Sequence, residues 1–307
     1  MFCKNFKSIS KNDAAIAGGK GASLGEMTQA GLPVPPGFVV LAQSFDDFVE
    51  QAGVSAEISS ALERININDN STIDAASVKI RDLVLTATIP EKIEKEIEAE
   101  FKKLDAALVA VRSSATAEDS SDASWAGELE TYLNVTSDNL LESVKKCWSS
   151  LFTPRAIFYR IEKGMAKQHV SVAVVVQKMV QSEVSGIAFT VHPVTEDYNQ
   201  MIIEAGYGLG EAIVGGMITP DSYVVTKDTL KIEDKYISSQ EMMIVRSPEG
   251  TSEQPVPQAR QELQKFGDDE IKKLAQTCLN IEKHYGFPCD IEWAYENGSI
   301  YITQSRP

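Results

Sequence analysis

The chain has 307 residues, of which 43% are hydrophobic and 24% charged, and its formal net charge is -15. That length accommodates one large domain or two lobes with substantial cores. The charge sets the surface against phosphate backbones and anionic lipid, which argues against nucleic-acid binding as a main role. No apolar run is long enough to span a bilayer and the start has no signal-peptide core, so no membrane partner is expected. Cys3, Cys147, Cys278 and Cys289 show no Cys-x-x-Cys spacing, and are expected as reduced thiols packed as small apolar residues in a cytoplasmic protein.

In chain order, helical patterns are expected over residues 24–30, 44–52, 56–64 and 91–104, the last dense in Glu and Lys and preceded by Pro90. A helical pair follows over 138–163, with Asp138 as N-cap and Pro154 opening the second member. Strands are expected at 38–41, 108–112, 170–180 and 201–204, and the Val-rich SVAVVVQKMV reads as a buried strand. The polar stretch 247–257 reads as a loop and 268–284 as a helix. Two closing strands, CDIEWAYE and SIYITQS, flank Asn297-Gly298, a strong hairpin signal. Helices and strands mix without strict alternation, which predicts an α+β fold.

Glycine-rich AGGKGAS (17–23) is not a Walker loop, because Ala14 and Gly21 stand where that pattern needs Gly and Ser or Thr. GYGLGE (206–211) is not a Rossmann fingerprint, because Glu211 occupies its third glycine position. Both are compatible with ordinary turns, although a lysine between glycines lets ammonium and backbone approach a phosphate together. In VRSSATAEDSSDASWAGELETYLNV (111–135), Arg112 closes an apolar strand before a run of small residues. A planar, permanently charged donor there suits phosphate recognition, and a surface loop with one salt-bridged arginine suits the same residues. The closing hairpin offers Asp290 and Glu292 on one strand and Gln304 and Arg306 on the other. Those oxygens suit Mg²⁺, while an ordinary surface ion pair is the plainer alternative. His169, His192 and His284 share no spacing and read as surface or capping residues.

Together and in this order, GGKGASLGEM, GLPVPPGF, VRSSATAED, AGELETYLNV, VVQKMV, SGIAFT, GLGEAIV, TPDSYVV, DIEWA and TQSRP are collinear over residues 18–307. The chain thereby resembles the N-terminal domain shared by phosphoenolpyruvate synthase, pyruvate phosphate dikinase and rifampin phosphotransferase. The resemblance implies an ATP-grasp fold, two lobes with ATP bound between them, divided here as 1–180 and 181–307. Carried over by position, Lys20 and Arg112 hold phosphates, Gly127 lies in the loop covering them, and Thr131 stands at that loop's end. Gln177, Met179 and Val180 belong to the adenine hinge, and Glu211 meets the ribose. Glu292 and Gln304 hold Mg²⁺ with Asp290 in support, Arg306 faces the phosphates, and Pro220-Asp221 belongs to a structural turn. Glu128 stands where the family usually has glutamine, which sets a carboxylate near a triphosphate.

The implied reaction is attack of a histidine on the β-phosphorus of ATP, giving AMP and a pyrophosphorylated histidine. That histidine belongs to a swivelling domain, in cis or in trans. Its Thr-Ser-His-type motif does not occur here, so the chain is expected as one domain separated from its partners or as a stand-alone subunit. Pyruvate is the implied final acceptor, through a C-terminal domain. A rifampin-type antibiotic is the alternative, and a nucleotide-binding module without turnover is the alternative of another class.

One expectation comes from the hairpin alone. A plain two-residue turn at Asn297-Gly298 would set Glu292 opposite Thr303 and turn it away from Gln304. Joint cation binding therefore requires a three- or five-residue loop, or a bulge.

Overall fold

The computed structural model describes residues 1–116, 130–165 and 170–306. The chain divides into two compact units, Met1–Glu26 with Pro36–Met179, and Met27–Pro35 with Val180–Pro307.

In the first unit, strands β1 (Cys3–Asn5), β2 (Gly37–Val40), β3 (Val109–Ala115), β4 (Thr131–Val135) and β5 (Val172–Lys178) form one sheet in the order β1-β2-β5-β3-β4. Every neighbouring pair is antiparallel. The helices are α1 (Ala14–Gln29), α2 (Ala42–Gln51), α3 (Ser55–Glu63), α4 (Asn70–Thr86), α5 (Glu91–Leu104), α6 (Leu140–Ser150) and α7 (Pro154–Glu162). Alternation along the strands gives this sheet two different faces. Phe38, Val40, Val109, Val111, Val172, Val174 and Val176 enter the main core with Phe48, Ile80, Ile93, Val144 and Trp148 of the covering helices. The Phe48 and Trp148 rings stack there with centroids 4.8 Å apart. The intervening residues, Val39, Ala110, Arg112, Ser114, Val175 and Gln177, occupy the other face.

Helix α5 follows the Glu- and Lys-rich pattern, with Ile93 and Ile97 as its buried stripe. Helix α4 lies where no helix was expected. Its start is rich in Asn, Ser, Thr and Asp, which favour turns, yet Ile73, Ala76, Ser77, Ile80 and Val84 are buried at helical spacing, and Asp69 accepts from the Ser71 N–H. Asp138 is not a helix N-cap. It lies in a short 3-10 turn, and the reciprocal bonds of Thr136 and Asn139 form the capping box instead. Pro154 opens α7 behind a Thr153 cap, as its position implies.

In the second unit, β6 (Val184–Phe189), β7 (Gln200–Tyr207), β8 (Asp221–Thr226), β9 (Lys231–Tyr236), β12 (Asp290–Glu296) and β13 (Ser299–Arg306) form an antiparallel sheet in the order β13-β12-β6-β7-β8-β9. Strands β10 (Met242–Ser247) and β11 (Gly250–Pro255) make a separate hairpin, so most of the stretch expected as a loop is a strand. Its polar sequence reflects a two-stranded ribbon whose second strand keeps much of its surface in water. Helices α8 (Glu211–Val214), α9 (Gln258–Gln261) and α10 (Asp268–Tyr285) complete the unit. Helix α10 buries Ile271, Leu274, Ala275, Cys278 and Ile281 and ends at Gly286 in the left-handed conformation, φ 82°. Residues 27–35 join this unit, where the Ile302 N–H donates to the Pro33 carbonyl at 2.8 Å.

Asp221 opens β8 in a fully buried ion pair, with Lys265 Nζ 2.8 Å from its Oδ1. Its carboxylate also accepts from the N–H groups of Ser238 and Lys265 and from the Tyr223 hydroxyl. Such saturation is the condition under which a buried charge is tolerated. Among the described residues, no helix is long and apolar enough to cross a membrane.

Candidate functional site

In the first unit, the glycine-rich stretch 17–23 is part of α1 rather than a free turn. The helix is broken at Gly18, whose φ of 69° and ψ of 171° are not helical, and a new half-helix starts there. Lys20 falls in the first turn of that half-helix and is buried. Close packing explains a further glycine, because a Cβ at Gly25 would come within 2.5 Å of the Ile9 carbonyl oxygen.

Arg112 does not end its strand. It is the fourth residue of β3, which continues through Ser113, Ser114 and Ala115, and its side chain is buried. It pairs across the sheet with Val175 of β5 on one side and Thr131 of β4 on the other. Its Nη1 donates to Gln177 Oε1 at 3.4 Å, and Gln177 is buried on the same face. Three of the expected nucleotide-contacting residues, Arg112, Thr131 and Gln177, are thus gathered by strand pairing.

The two serines after Arg112 serve opposite faces. Ser113 Oγ donates to the Glu130 carbonyl at 2.9 Å and meets Ser150 Oγ of α6 at 2.9 Å. Ser114 Oγ faces α1 and bonds to the backbone on both sides of the Gly18 break. Met179 follows β5, with its N–H donating to the Leu108 carbonyl at 3.0 Å. Val180 is buried and begins the longer segment of the second unit. Gly127 and Glu128 lie outside the described residues.

In the second unit, the closing hairpin turns at Asn297 and Gly298, with φ of 50° and 79°, and Glu296 pairs with Ser299. This is a two-residue turn, yet the register shifts between Glu292 and Trp293. Trp293 pairs with Ile302, while Glu292 pairs with Gln304. Thr303 is therefore the extra residue of a β-bulge, and its hydroxyl donates to the Glu292 carbonyl at 3.2 Å. Asp290 pairs with Arg306 two positions along. All four side chains issue from one face, because directly opposed residues share a face and so do residues two apart.

Gln304 is buried, and Asp290 and Glu292 are half-buried. Burial, reinforced by the Glu292 carboxylate and opposed by the Arg306 guanidinium, pushes the Asp290 carboxyl above the usual range. Asp290 Oδ1 is a buried oxygen with no hydrogen-bond donor among the described residues. An orphaned carboxylate oxygen beside a carboxylate and a buried amide fits a hard cation. Among the described residues no group of three His, Cys, Asp or Glu side chains is arranged to hold a metal ion. Two carboxylates and an amide leave most of the positions around a hard cation to other ligands.

Residues 14–307 match the family described as pyruvate phosphate dikinase, AMP/ATP-binding domain. The chain belongs to this family. It is 49% identical to a probable phosphoenolpyruvate synthase of Methanocaldococcus jannaschii, covering 97% of this chain and 26% of that protein. A probable phosphoenolpyruvate synthase of Archaeoglobus fulgidus is likewise 49% identical, over 97% of this chain and 40% of the relative. A rifampicin phosphotransferase of Bacillus cereus is 38% identical, over 100% of this chain and 36% of the relative. The chain thus spans between a quarter and two fifths of the length of these relatives.

Within this member of the AMP/ATP-binding domain family, Glu211 opens α8 as an exposed residue, on a different element from the closing hairpin. Two side chains near the expected site residues were missed. Glu204 on β7 is half-buried, and burial together with the Asp290 carboxylate pushes its carboxyl up. The expectation of a strand at 201–204 carried no pairing partner, so nothing in the sequence linked it to Asp290. Ser114 was visible within VRSSA, where alternation alone separates its face from that of Ser113. His192 does cap, since its Nδ1 accepts from the Val194 and Thr195 N–H groups, each at 3.2 Å.

Proposed function

We propose that this chain is the ATP-binding domain of a phosphoenolpyruvate synthase, a pyruvate, water dikinase with an ATP-grasp fold, and that it acts in the cytoplasm. The observation that carries this reading is the bulged hairpin, which aligns Glu292 with Gln304 and Asp290 with Arg306 in a chain whose family match extends over both compact units. The two units, approximating residues 1–180 and 181–307, are the two lobes in this reading.

Lys20 and Arg112 offset phosphate charge, and their burial strengthens each interaction by lowering the local dielectric. Gln177 steadies the Arg112 guanidinium, with Met179 and Val180 beside the adenine and Glu211 on the ribose. Gly127 covers the phosphates and Thr131 stands where that loop rejoins β4. Glu292 and Gln304 hold Mg²⁺ with Asp290 in support, and Arg306 faces the transferred group. The metal, when bound, neutralises triphosphate charge. The residues position the nucleotide and leave bond-making to the acceptor.

A histidine of a swivelling domain, in cis or in trans, then attacks the β-phosphorus. The bond from the α-phosphate oxygen to the β-phosphorus breaks, AMP departs, and the histidine keeps the pyrophosphoryl group. Water takes the terminal phosphate, and the remaining phosphoryl passes to pyruvate on a further domain. Pyruvate is preferred to a rifampicin-type acceptor because identity is 49% to the named synthases and 38% to the rifampicin enzyme.

The test is calorimetric titration of Mg–ATP into the 307-residue chain, beside Lys20→Ala and Glu292→Ala. Binding that weakens in both variants supports the assignment, and no binding to the parent chain overturns it. Binding indifferent to Glu292→Ala points instead to a nucleotide module without turnover.

A further inference from the structure

We infer that Ser114 is a positioning residue for Lys20, capping from a neighbouring strand the half-helix that carries the lysine. The inference rests on the ATP-binding reading for its functional consequence and on geometry for the cap itself. A helix start leaves several N–H groups without intrahelical acceptors, and the residue before the first turn ordinarily supplies an oxygen to the second or third of them. In α1 the break falls at Gly18, which has no side chain to offer. No other residue fits there. The φ of 69° disfavours a side chain, and a Cβ would stand 2.1 Å from Ser114 Oγ and 2.4 Å from the Ser114 carbonyl oxygen.

Ser114 supplies what Gly18 lacks. Its Oγ accepts from the Gly21 N–H at 3.3 Å, the third residue after the break, and donates to the Ala17 carbonyl at 3.0 Å, just before it. One fully buried hydroxyl therefore serves a donor and an acceptor on either side of the interruption. Ser114 lies two residues from Arg112 on the same face of β3, whose position is fixed by its pairing with β4 and β5. The cap thus ties the backbone of Lys20 to the strand that carries Arg112. It also uses the close approach of Ser114 that the missing side chain of Gly18 allows.

The experiment measures Mg–ATP affinity for Ser114→Ala, Lys20→Ala and the double variant, with Ser113→Ala as the opposite-face control. Loss of a cap predicts about a fivefold weakening for Ser114→Ala. In the Lys20→Ala background the same substitution is expected to have no further effect, because its influence runs through the lysine. Ser113→Ala is expected to act equally in both backgrounds. Hydrogen exchange of the Gly21 amide, without nucleotide, is expected to accelerate in Ser114→Ala.

An unchanged affinity, or a loss that adds fully to that of Lys20→Ala, overturns the inference. If Lys20→Ala itself leaves affinity intact, the ATP reading of the lysine fails, while the exchange of Gly21 still decides the cap. Should Ser114→Ala not fold, Ser114→Cys is a slightly larger near-isostere with a weaker acceptor. It is expected to show the same lysine-dependent loss, and unchanged affinity there overturns the inference too.

Discussion

Glu292 stands directly across from Gln304 because Thr303 is bulged out of the β12–β13 ladder. The turn at Asn297-Gly298 starts the ladder with Glu296 opposite Ser299, and regular pairing from there would reach Glu292 opposite Thr303. The extra residue resets the alternation. Deleting Thr303 would then leave a regular ladder with Gln304 still paired to Glu292, since Gln304 would follow Ile302 directly. The deletion variant is therefore expected to bind Mg–ATP within a fewfold of the parent. Glu292→Ala and Gln304→Ala, which keep the bulge and remove an oxygen ligand, are each expected to weaken Mg-dependent binding by about 10- to 100-fold. Titration with and without Mg²⁺ separates these outcomes.

The buried pair of Asp221 and Lys265 calls for a different outcome. Removing the ammonium in Lys265→Met leaves the Asp221 carboxylate buried with its N–H and hydroxyl donors but without its counter-charge. Breaking such a pair by one partner costs about 3–5 kcal/mol. Urea unfolding of this variant is expected to show that loss as a lower midpoint, with an unchanged slope if the transition remains two-state. A change below about 1 kcal/mol would mean that the pair contributes little beyond its surrounding hydrogen bonds.

What the sequence made legible follows from the range of the forces involved. Strands β2, β3, β5 and β7 and helices α2, α3, α5, α6, α7 and α10 were readable because apolar spacing is local and burial enforces it. The need for an irregularity in the closing hairpin was also readable, because alternation and a two-residue turn leave no other way to put Glu292 and Gln304 on one face. Helix α4 was not, since its first turn has the composition of a loop and only tertiary burial of Ile73, Ile80 and Val84 makes it helical. The β10–β11 hairpin was missed because β11 has the polar composition of a loop and becomes a strand by pairing with β10, which buries Ile244. Among the candidate site residues, Arg112 was placed at a strand end because Ser113 and Ser114 resemble loop residues. Their hydroxyls find partners within the fold, which lets the strand continue.

The four cysteines allow a test of burial that is independent of any nucleotide. All are free and buried. Burial pushes the Cys147 thiol up to about 12 and the Cys289 thiol up to about 11, and it raises Cys3 and Cys278 as well. At pH 8 a thiol titrating near 11 is about one part in a thousand thiolate, and the thiolate is the reactive form. Iodoacetamide at pH 8 is therefore expected to leave the folded chain unmodified and to add four groups after denaturation. Mass spectrometry counts them, and rapid native labelling of Cys147 would contradict the packing of α6 against β3.

Arg112 permits a substitution that keeps charge and removes shape. Its guanidinium is buried, paired across from Thr131 and bonded to Gln177, so it is held as a planar fork rather than a mobile charge. Lysine would retain the positive charge but lose the fixed fork that matches phosphate oxygens two at a time. Arg112→Lys is accordingly expected to weaken Mg–ATP binding by about tenfold, the size of one charge-assisted hydrogen bond. Gln177→Leu leaves the fork in place and removes the acceptor of its Nη1 hydrogen bond, so a smaller loss is expected. Equal affinities for Arg112→Lys and the parent would show that the site uses this residue as a point charge, and would remove the reason for holding it rigid.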